Sequence, residues 1–139
     1  MSIAERWKSY APHLRSLLRI FAAFMLMQNG TMKVLAWPMG MPPDGHTANL
    51  LTQIGFGGLL EAVGGFFLVI GLCTRPIAFI LAGEMAVAYW QFHFKLAQPW
   101  PIENGGAAAI LYCFIWFYFS AAGAGEWSID SWLENRKKA

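Results

Sequence analysis

The sequence carries little charge for its length. Aspartate, glutamate, lysine and arginine make up 13% of its 139 residues, whereas soluble globular proteins usually contain about 25%. Hydrophobic residues account for 57%, and the formal net charge is only +2. This composition argues against a soluble globular domain and gives no sign of nucleic-acid binding. It predicts one domain, residues 1–139, that lies in a lipid bilayer.

Cysteine is also scarce. Cys73 and Cys113 form neither a CxxC pair nor a spacing typical of metal ligands, so the sequence predicts two free thiols and no metal site. It also lacks a CxxCH haem motif and a Rossmann fingerprint. The chain therefore has no complete catalytic motif, and the sequence does not identify it as an enzyme.

Proline is missing from the interior of four long apolar segments. These segments, about residues 16–37, 50–72, 76–97 and 105–123, each approach the roughly 20 residues that cross about 30 Å of hydrocarbon. The seven prolines lie at segment edges or in the connecting loops. Because backbone polar groups in lipid must satisfy one another, the segments are predicted to be helices. The predicted fold is all-α, a bundle of four transmembrane helices.

Basic residues are scarce on one side of this predicted bundle. Lys33 and Lys95 belong to that side, and the other side has eight: Arg6, Lys8, Arg15, Arg19, Arg75, Arg136, Lys137 and Lys138. Lysine and arginine concentrate in cytoplasmic loops. Both termini are therefore predicted to be cytoplasmic, in a bacterial cytoplasmic (inner) membrane.

Both tails are predicted to be short interfacial helices. Ser2 and Glu5 have the spacing of a capping box, and so do Ser131 and Glu134. Aromatic residues in each tail suit the membrane–water interface.

A glutamate interrupts the second segment. Glu61 would lie about 16 Å from either membrane surface at 1.5 Å per residue, where a charge costs about 3 kcal/mol, so it is expected to face protein. Four glycines share its helix face, Gly57, Gly58, Gly64 and Gly65. Such a groove admits another helix or a flat ligand. Two interpretations stay open here, simple helix packing with one buried hydrogen bond, and a ligand or proton site.

Other ionisable residues in the segments suggest a buried ion pair. Their depths predict that Arg19 pairs with Glu84 near the basic side, and the alternative is that Arg19 reaches Glu61. Ionisable groups within a membrane are functional candidates by default.

A polar pocket is predicted nearer the other side, with Glu61 as its floor. Its remaining members are Asn29, Lys33, Gln91, His93 and Asn104. Glu61 and His93 are the candidate catalytic residues, because either could exchange protons with a ligand. On an α-helix His93 lies about 180° from Glu84, which predicts that these two residues serve different surfaces.

Four stretches, read in order, resemble the DoxX family of small four-helix membrane proteins. They are RSLLRIFAAFMLMQNGTMKVL, LLEAVGGFFLVIGLCTRP, PIENGGAA and GAGEWSID, and they extend from about residue 14 to residue 130. The resemblance implies architecture more than activity. Relatives are linked to a thiosulfate:quinone oxidoreductase, and others are associated with oxidative stress and thiol redox balance. Since this chain lacks paired cysteines, its electrons would have to come from a bound cofactor or a partner subunit.

Three functions are compatible with these observations. The first is an accessory or quinone-interacting subunit of a membrane redox system, with a quinone held in the glycine groove. The second is a non-enzymatic assembly protein that recognises another membrane subunit. The third is a proton or solute pathway formed by an oligomer. The expected partners are the lipid bilayer and either a redox subunit or further copies of the chain.

Overall fold

Helices account for most of the chain. In the computed structural model, which describes residues 1–138, four helices of 15 residues or more form the body: α2 (Ala11–Leu35), α3 (Gln53–Ile70), α4 (Thr74–Ala88) and α6 (Ala107–Ala122). Three shorter helices are α1 (Ile3–Ser9), α5 (Pro101–Asn104) and α7 (Ile129–Lys138). A π-helical turn, Tyr89–His93, extends α4. Residues 1–138 contain no strand, which confirms the all-α prediction.

The long helices pack as two pairs. Helix α2 packs mainly on α3, helix α4 packs mainly on α6, and the interface between α3 and α4 is smaller. The core contains Leu26 of α2, Leu68 of α3, Leu81 of α4 and Trp116 of α6. All four side chains are almost completely buried.

Hydropathy distinguishes α3 from the other helices. Within residues 1–138 it is the helix both long and apolar enough to cross a membrane, with 18 residues and a mean hydropathy of 1.7. Helix α6 is apolar but has 16 residues. The four-span arrangement and the orientation of the termini stay predictions.

The third predicted segment ends earlier than expected. It was predicted to continue to residue 97, but helical structure stops at His93. Phe94 takes an extended conformation, and a tight turn follows in which Lys95 and Gln98 form an isolated bridge. Pro99 comes directly after this turn, and because proline disfavours a helical conformation of the residue before it, the helix would not extend through Gln98.

A capping box was predicted at the start of each tail helix, and the structure contains the first but not the second. The Ser2–Glu5 capping box is present, and the Ser2 backbone N–H donates to Glu5 Oε2 at 2.6 Å. These hydrogen bonds from Ser2 hold the pKa of the Glu5 carboxyl below its ordinary value. The predicted box at Ser131 is wrong, because α7 already begins at Ile129 and Ser128 Oγ accepts from the Ser131 N–H at 3.1 Å.

Several helix termini meet at one end of the molecule, which we call the basic end. It comprises the start of α2, the turn between α3 and α4, and the end of α6 with the segment that follows. Asp130 accepts hydrogen bonds from the N–H groups of Cys73 and Thr74, both at 2.8 Å. Arg15 donates to the carbonyl of Ala122 at 2.9 Å. The bonds to Asp130 fix the start of α7 against the start of α4, and the bond from Arg15 joins α2 to the end of α6.

The tight contact between α2 and α3 depends on Gly30. A Cβ atom at this position would lie 2.2 Å from the backbone nitrogen of Ala62 and 2.6 Å from the carbonyl oxygen of Gly58. These are backbone atoms, so neither helix can move aside without separating from the other. We expect Gly30→Ala to destabilise the protein by about 2–3 kcal/mol, measured as a lower thermal midpoint in detergent.

Gly83→Ala is the matched control, because nothing lies within 4 Å of a Cβ atom there. This variant should keep or slightly raise the midpoint, since alanine favours helix more than glycine. Equal midpoints for the two variants would contradict the close approach at Gly30.

Candidate functional site

The main cavity lies between the two helix pairs, away from the basic end. Its volume is about 660 Å³, which falls within the range of small-molecule sites, roughly 300–1,000 Å³. We call it the central cavity. Its lining residues come from the four long helices, the π turn and the loop before α6: Leu26, Asn29, Lys33, Gln53, Ile54, Phe56, Gly57, Leu60, Glu61, Ile80, Glu84, Met85, Ala88, Phe92, His93, Gly105, Ala108, Ala109 and Tyr112.

An ion pair lies on the wall formed by α2 and α3. Lys33 Nζ is 2.6 Å from Glu61 Oε2. The Glu61 residue is only 3% exposed, whereas the side chain of Lys33 is 24% exposed. Gly58 makes the pair possible, because a Cβ atom there would lie 2.7 Å from Lys33 Cβ. The carboxylate is therefore buried, and the ammonium remains accessible to a ligand.

A second carboxylate faces the central cavity from α4. Glu84 Oε2 is buried and has no hydrogen-bond partner among residues 1–138. Glu84 Oε1 lies beside Gly57, at 2.9 Å from the position a Cβ atom would take there. Buried carboxylate oxygens normally accept hydrogen bonds, so this oxygen is available to a donor on a ligand.

The predicted Arg19–Glu84 pair is wrong, and so is its alternative, Arg19 with Glu61. Arg19 is completely buried at the basic end, where it donates to backbone carbonyls instead. Its acceptors are Leu68 at 2.8 Å, Val69 at 3.4 Å, Trp127 at 2.6 Å, and Ala124. The last carbonyls of a helix lack their usual partners four residues later, and α3 ends at Ile70, where the Gly71 N–H also donates to the Leu68 carbonyl. A guanidinium with five donors can satisfy several of these carbonyls at once.

The π turn decides where His93 points. The backbone N–H of Phe94 donates to the carbonyl of Tyr89 at 2.8 Å, five residues earlier. Such a turn holds one more residue than an α-turn and delays the helical register by about 100°. His93 therefore lines the same cavity as Glu84, and the prediction that they serve different surfaces is wrong. Its Nδ1 lies 3.3 Å from the carbonyl oxygen of Asn104.

Two predicted pocket members lie outside the lining. Asn104 shapes the loop before α6, since its Oδ1 accepts from the Gly106 N–H at 2.8 Å and its Nδ2 donates to the Gln98 carbonyl at 3.2 Å. Gln91 is exposed and accepts a hydrogen bond from the side chain of Gln53. Asn29, in contrast, does line the cavity.

The four glycines do not form one groove. Gly57 lines the central cavity. Gly58 contacts Lys33 and Gly65 contacts Met27 of α2, whereas Gly64 contacts Leu81 of α4. These three glycines therefore serve packing within the chain.

Sequence reasoning missed two lining groups. The first is Glu84, which the sequence assigns to the basic side. In the structure it lines the central cavity together with Ala88, which lies four residues later on the same helix face. Tyr112 of α6 is 9% exposed and stacks on Trp116 with an interplanar angle of 13°. Tyr112 lies in a segment that is apolar on all sides, so no pattern of polar residues indicates which face of α6 lines the cavity.

Comparison with protein-family models identifies the family. The DoxX family model matches residues 14–94. A Haemophilus influenzae (strain Rd) protein described as uncharacterized is 39% identical over 126 residues, which cover 89% of this chain and 93% of that protein. No solved structure matches the chain. The resemblance found in the sequence is thus confirmed, and the chain belongs to the DoxX family.

Proposed function

We propose that this chain is an integral protein of a bacterial cytoplasmic membrane, which it crosses with α2, α3, α4 and α6. The DoxX family is membrane-associated, and the distribution of side chains supports the placement. Phe21, Phe66 and Phe114 are each more than half exposed, whereas Arg19 and Glu61 are buried. Large apolar patches on the outside and charges on the inside suit a lipid environment.

The orientation follows from the basic residues. Arg15 and Arg75 both donate to carbonyls at the end of α6, so they lie at the same end of the molecule as the buried Arg19. Because basic residues favour the cytoplasmic side, we assign the basic end to the cytoplasm and the central cavity to the opposite half of the membrane.

We further propose that the central cavity binds a quinone head group, as part of a membrane redox system. The observation that carries this proposal is the unpartnered Glu84 carboxylate oxygen, which shares the cavity with the Lys33–Glu61 ion pair. A quinone carbonyl is an acceptor and suits the Lys33 ammonium. A quinol hydroxyl is a donor and suits Glu84.

The rim of the central cavity supports an apolar tail on this ligand. Phe56 of α3 and Ile80 of α4 line the cavity and are 57% and 54% exposed. They belong to α3 and α4, the two helices that join the helix pairs through the smaller interface. An isoprenoid chain leaving there would pass directly into the hydrocarbon of the bilayer.

Reduction of a quinone to a quinol requires two electrons and two protons. Cys73 and Cys113 are both free thiols, one in the turn at the basic end and one within α6. We therefore assign the electrons to a partner redox subunit and the proton exchange to Glu84, Glu61 and His93 of the cavity. The chain would act as an accessory subunit that holds the quinone.

The proposal predicts that Glu84→Gln weakens binding of the quinol more than binding of the quinone. Replacing the carboxyl by an amide should weaken binding of a short-tailed quinol about three- to tenfold, the cost of one hydrogen bond, and change binding of the quinone less than about twofold. Binding of both forms is measured by titration of the purified chain in lipid nanodiscs.

Glu103→Gln is the control, because Glu103 is an exposed carboxylate of α5 outside the cavity. It should leave both affinities unchanged. If Glu84→Gln binds quinol as tightly as the unmodified chain, or if no saturable binding of either form is seen, the quinone proposal fails.

The assembly function has less support than the sequence suggested. It required glycine faces that are free to receive another subunit, but Gly58, Gly64 and Gly65 already contact side chains of this chain.

A further inference from the structure

A second cavity lies at the basic end, between the start of α4, the end of α6 and α7. Its volume is about 450 Å³, and we call it the basic-end cavity. It is lined by three basic and three acidic side chains: Arg15, Arg75, Lys137, Glu126, Asp130 and Glu134. The charges balance, so the cavity does not favour a simple anion.

Two of the basic groups are held in place and still have donors to spare. Arg15 donates to the carbonyl of Ala122 and Arg75 to that of Ala121. Each guanidinium carries five N–H donors, and these two bonds use one terminal nitrogen of each. The remaining donors suit the oxygens of a phosphate, which guanidinium groups bind with matched geometry.

The acidic groups divide into one that is occupied and two that are accessible. Asp130 accepts from the N–H groups at the start of α4. Glu126 and Glu134 are exposed, and no ion pair joins either of them to another side chain of residues 1–138. They can accept hydrogen bonds from an ammonium group.

An unsatisfied hydroxyl marks the same cavity. Thr74 is completely buried and belongs to the lining, yet its Oγ1 has no hydrogen-bond partner among residues 1–138. Buried hydroxyls normally have a partner. A polar group bound in the cavity would supply one.

The surroundings of the basic-end cavity suit the headgroup region of a bilayer. Trp127 and Trp132 flank it in sequence and are 51% and 55% exposed, and exposed tryptophans are enriched at the membrane–water interface. This step rests on the membrane placement proposed above, but not on the quinone.

We propose that the basic-end cavity binds the headgroup of an aminophospholipid. The phosphate diester contacts the guanidinium groups of Arg15 and Arg75, and the primary ammonium contacts the carboxylates of Glu126 and Glu134. This ligand class carries both signs of charge, as the cavity does. A quaternary ammonium has no N–H to donate, and a glycerol headgroup has no positive charge.

The test is native mass spectrometry of the full chain in detergent with an equal mixture of phosphatidylethanolamine, phosphatidylcholine and phosphatidylglycerol. We expect phosphatidylethanolamine to be retained about tenfold more than either of the others, the effect of one charge-assisted hydrogen bond. The double variant Glu126→Gln/Glu134→Gln should reduce this preference to about twofold or less.

Asp44→Asn/Glu103→Gln is the matched control, since it removes two exposed carboxylates elsewhere and should keep the tenfold preference. Equal retention of the three lipids, or an unchanged preference in the Glu126/Glu134 variant, would overturn the proposal. Displacement of the lipid by equimolar glycerophosphoethanolamine would also overturn it, in favour of a water-soluble phosphate ester. Neither variant touches the central cavity, so failure here is distinct from failure of the quinone proposal.

Discussion

Arg19→Met is expected to cost about 3–5 kcal/mol, because the methionine side chain cannot donate to the several buried carbonyls that Arg19 binds. The variant would remove the side-chain donor from the carbonyls of Ala124 and Trp127 and one of the two donors from the carbonyl of Leu68, and each buried group left unsatisfied costs about 1–3 kcal/mol. The yield of monodisperse protein should fall sharply. In the protein that survives, limited proteolysis should cut after Gly123, because the following segment has lost its anchor.

Arg6→Met is the matched control for this variant, since Arg6 is exposed on α1 and its loss should change neither yield nor cleavage. Arg19→Lys should be intermediate, because an ammonium has three donors and no planar fork. The swap Arg19→Glu/Glu84→Arg should not restore folding. Normal yield from Arg19→Met, or rescue by the swap, would contradict the arrangement at the basic end.

Lys33→Met is expected to destabilise the chain by about 3 kcal/mol or more, because it leaves the buried Glu61 carboxylate unpaired. Glu61→Gln should cost less, since the Lys33 side chain is 24% exposed and its ammonium can still reach water or a ligand. The double variant should recover part of the loss, with a coupling energy of about 1–3 kcal/mol. The measurement is the unfolding free energy of the four proteins in one detergent.

Lys95→Met provides the control for charge removal, because Lys95 is an exposed lysine with no ion pair to residues 1–138. Its stability should stay within about 0.5 kcal/mol of the unmodified chain. A double variant whose loss equals the sum of the single losses would show that the Lys33–Glu61 pair is not formed.

The sequence predicted the helices well because their signals are local. Long apolar runs with prolines at the edges mark helices wherever they pack. Helix α4, the third predicted segment, is the exception. Its end depends on the π turn at Tyr89–His93, and no residue pattern distinguishes that turn from ordinary α-helix. The one-residue delay moved His93 onto the face of Glu84, which a helical wheel at 100° per residue cannot anticipate.

The partners of buried charges were harder to predict. Depth along a helix suggested Glu84 for Arg19, but depth says nothing about rotation around the axis or about backbone acceptors. The true acceptors are carbonyls near the end of α3 and in the segment after α6, and every residue type offers a carbonyl. Lys33 and Glu61 meet because Gly58 leaves room between their helices. The spacing of the glycines indicates that another helix packs closely there, but it does not indicate which helix or which side chain.

The division into two helix pairs has a mechanical consequence. At the basic end, hydrogen bonds from Arg15 and Arg19 tie α2 to the end of α6 and the segment that follows. At the opposite end, the side-chain bond that crosses between the pairs is the exposed one from Gln53 to Gln91. The hydrogen bonds that join the two pairs are therefore concentrated at the basic end, and the pairs have fewer polar contacts with one another beside the central cavity. A molecule that enters between the two pairs would have to displace the exposed Gln53–Gln91 hydrogen bond and part of the apolar contact between α3 and α4.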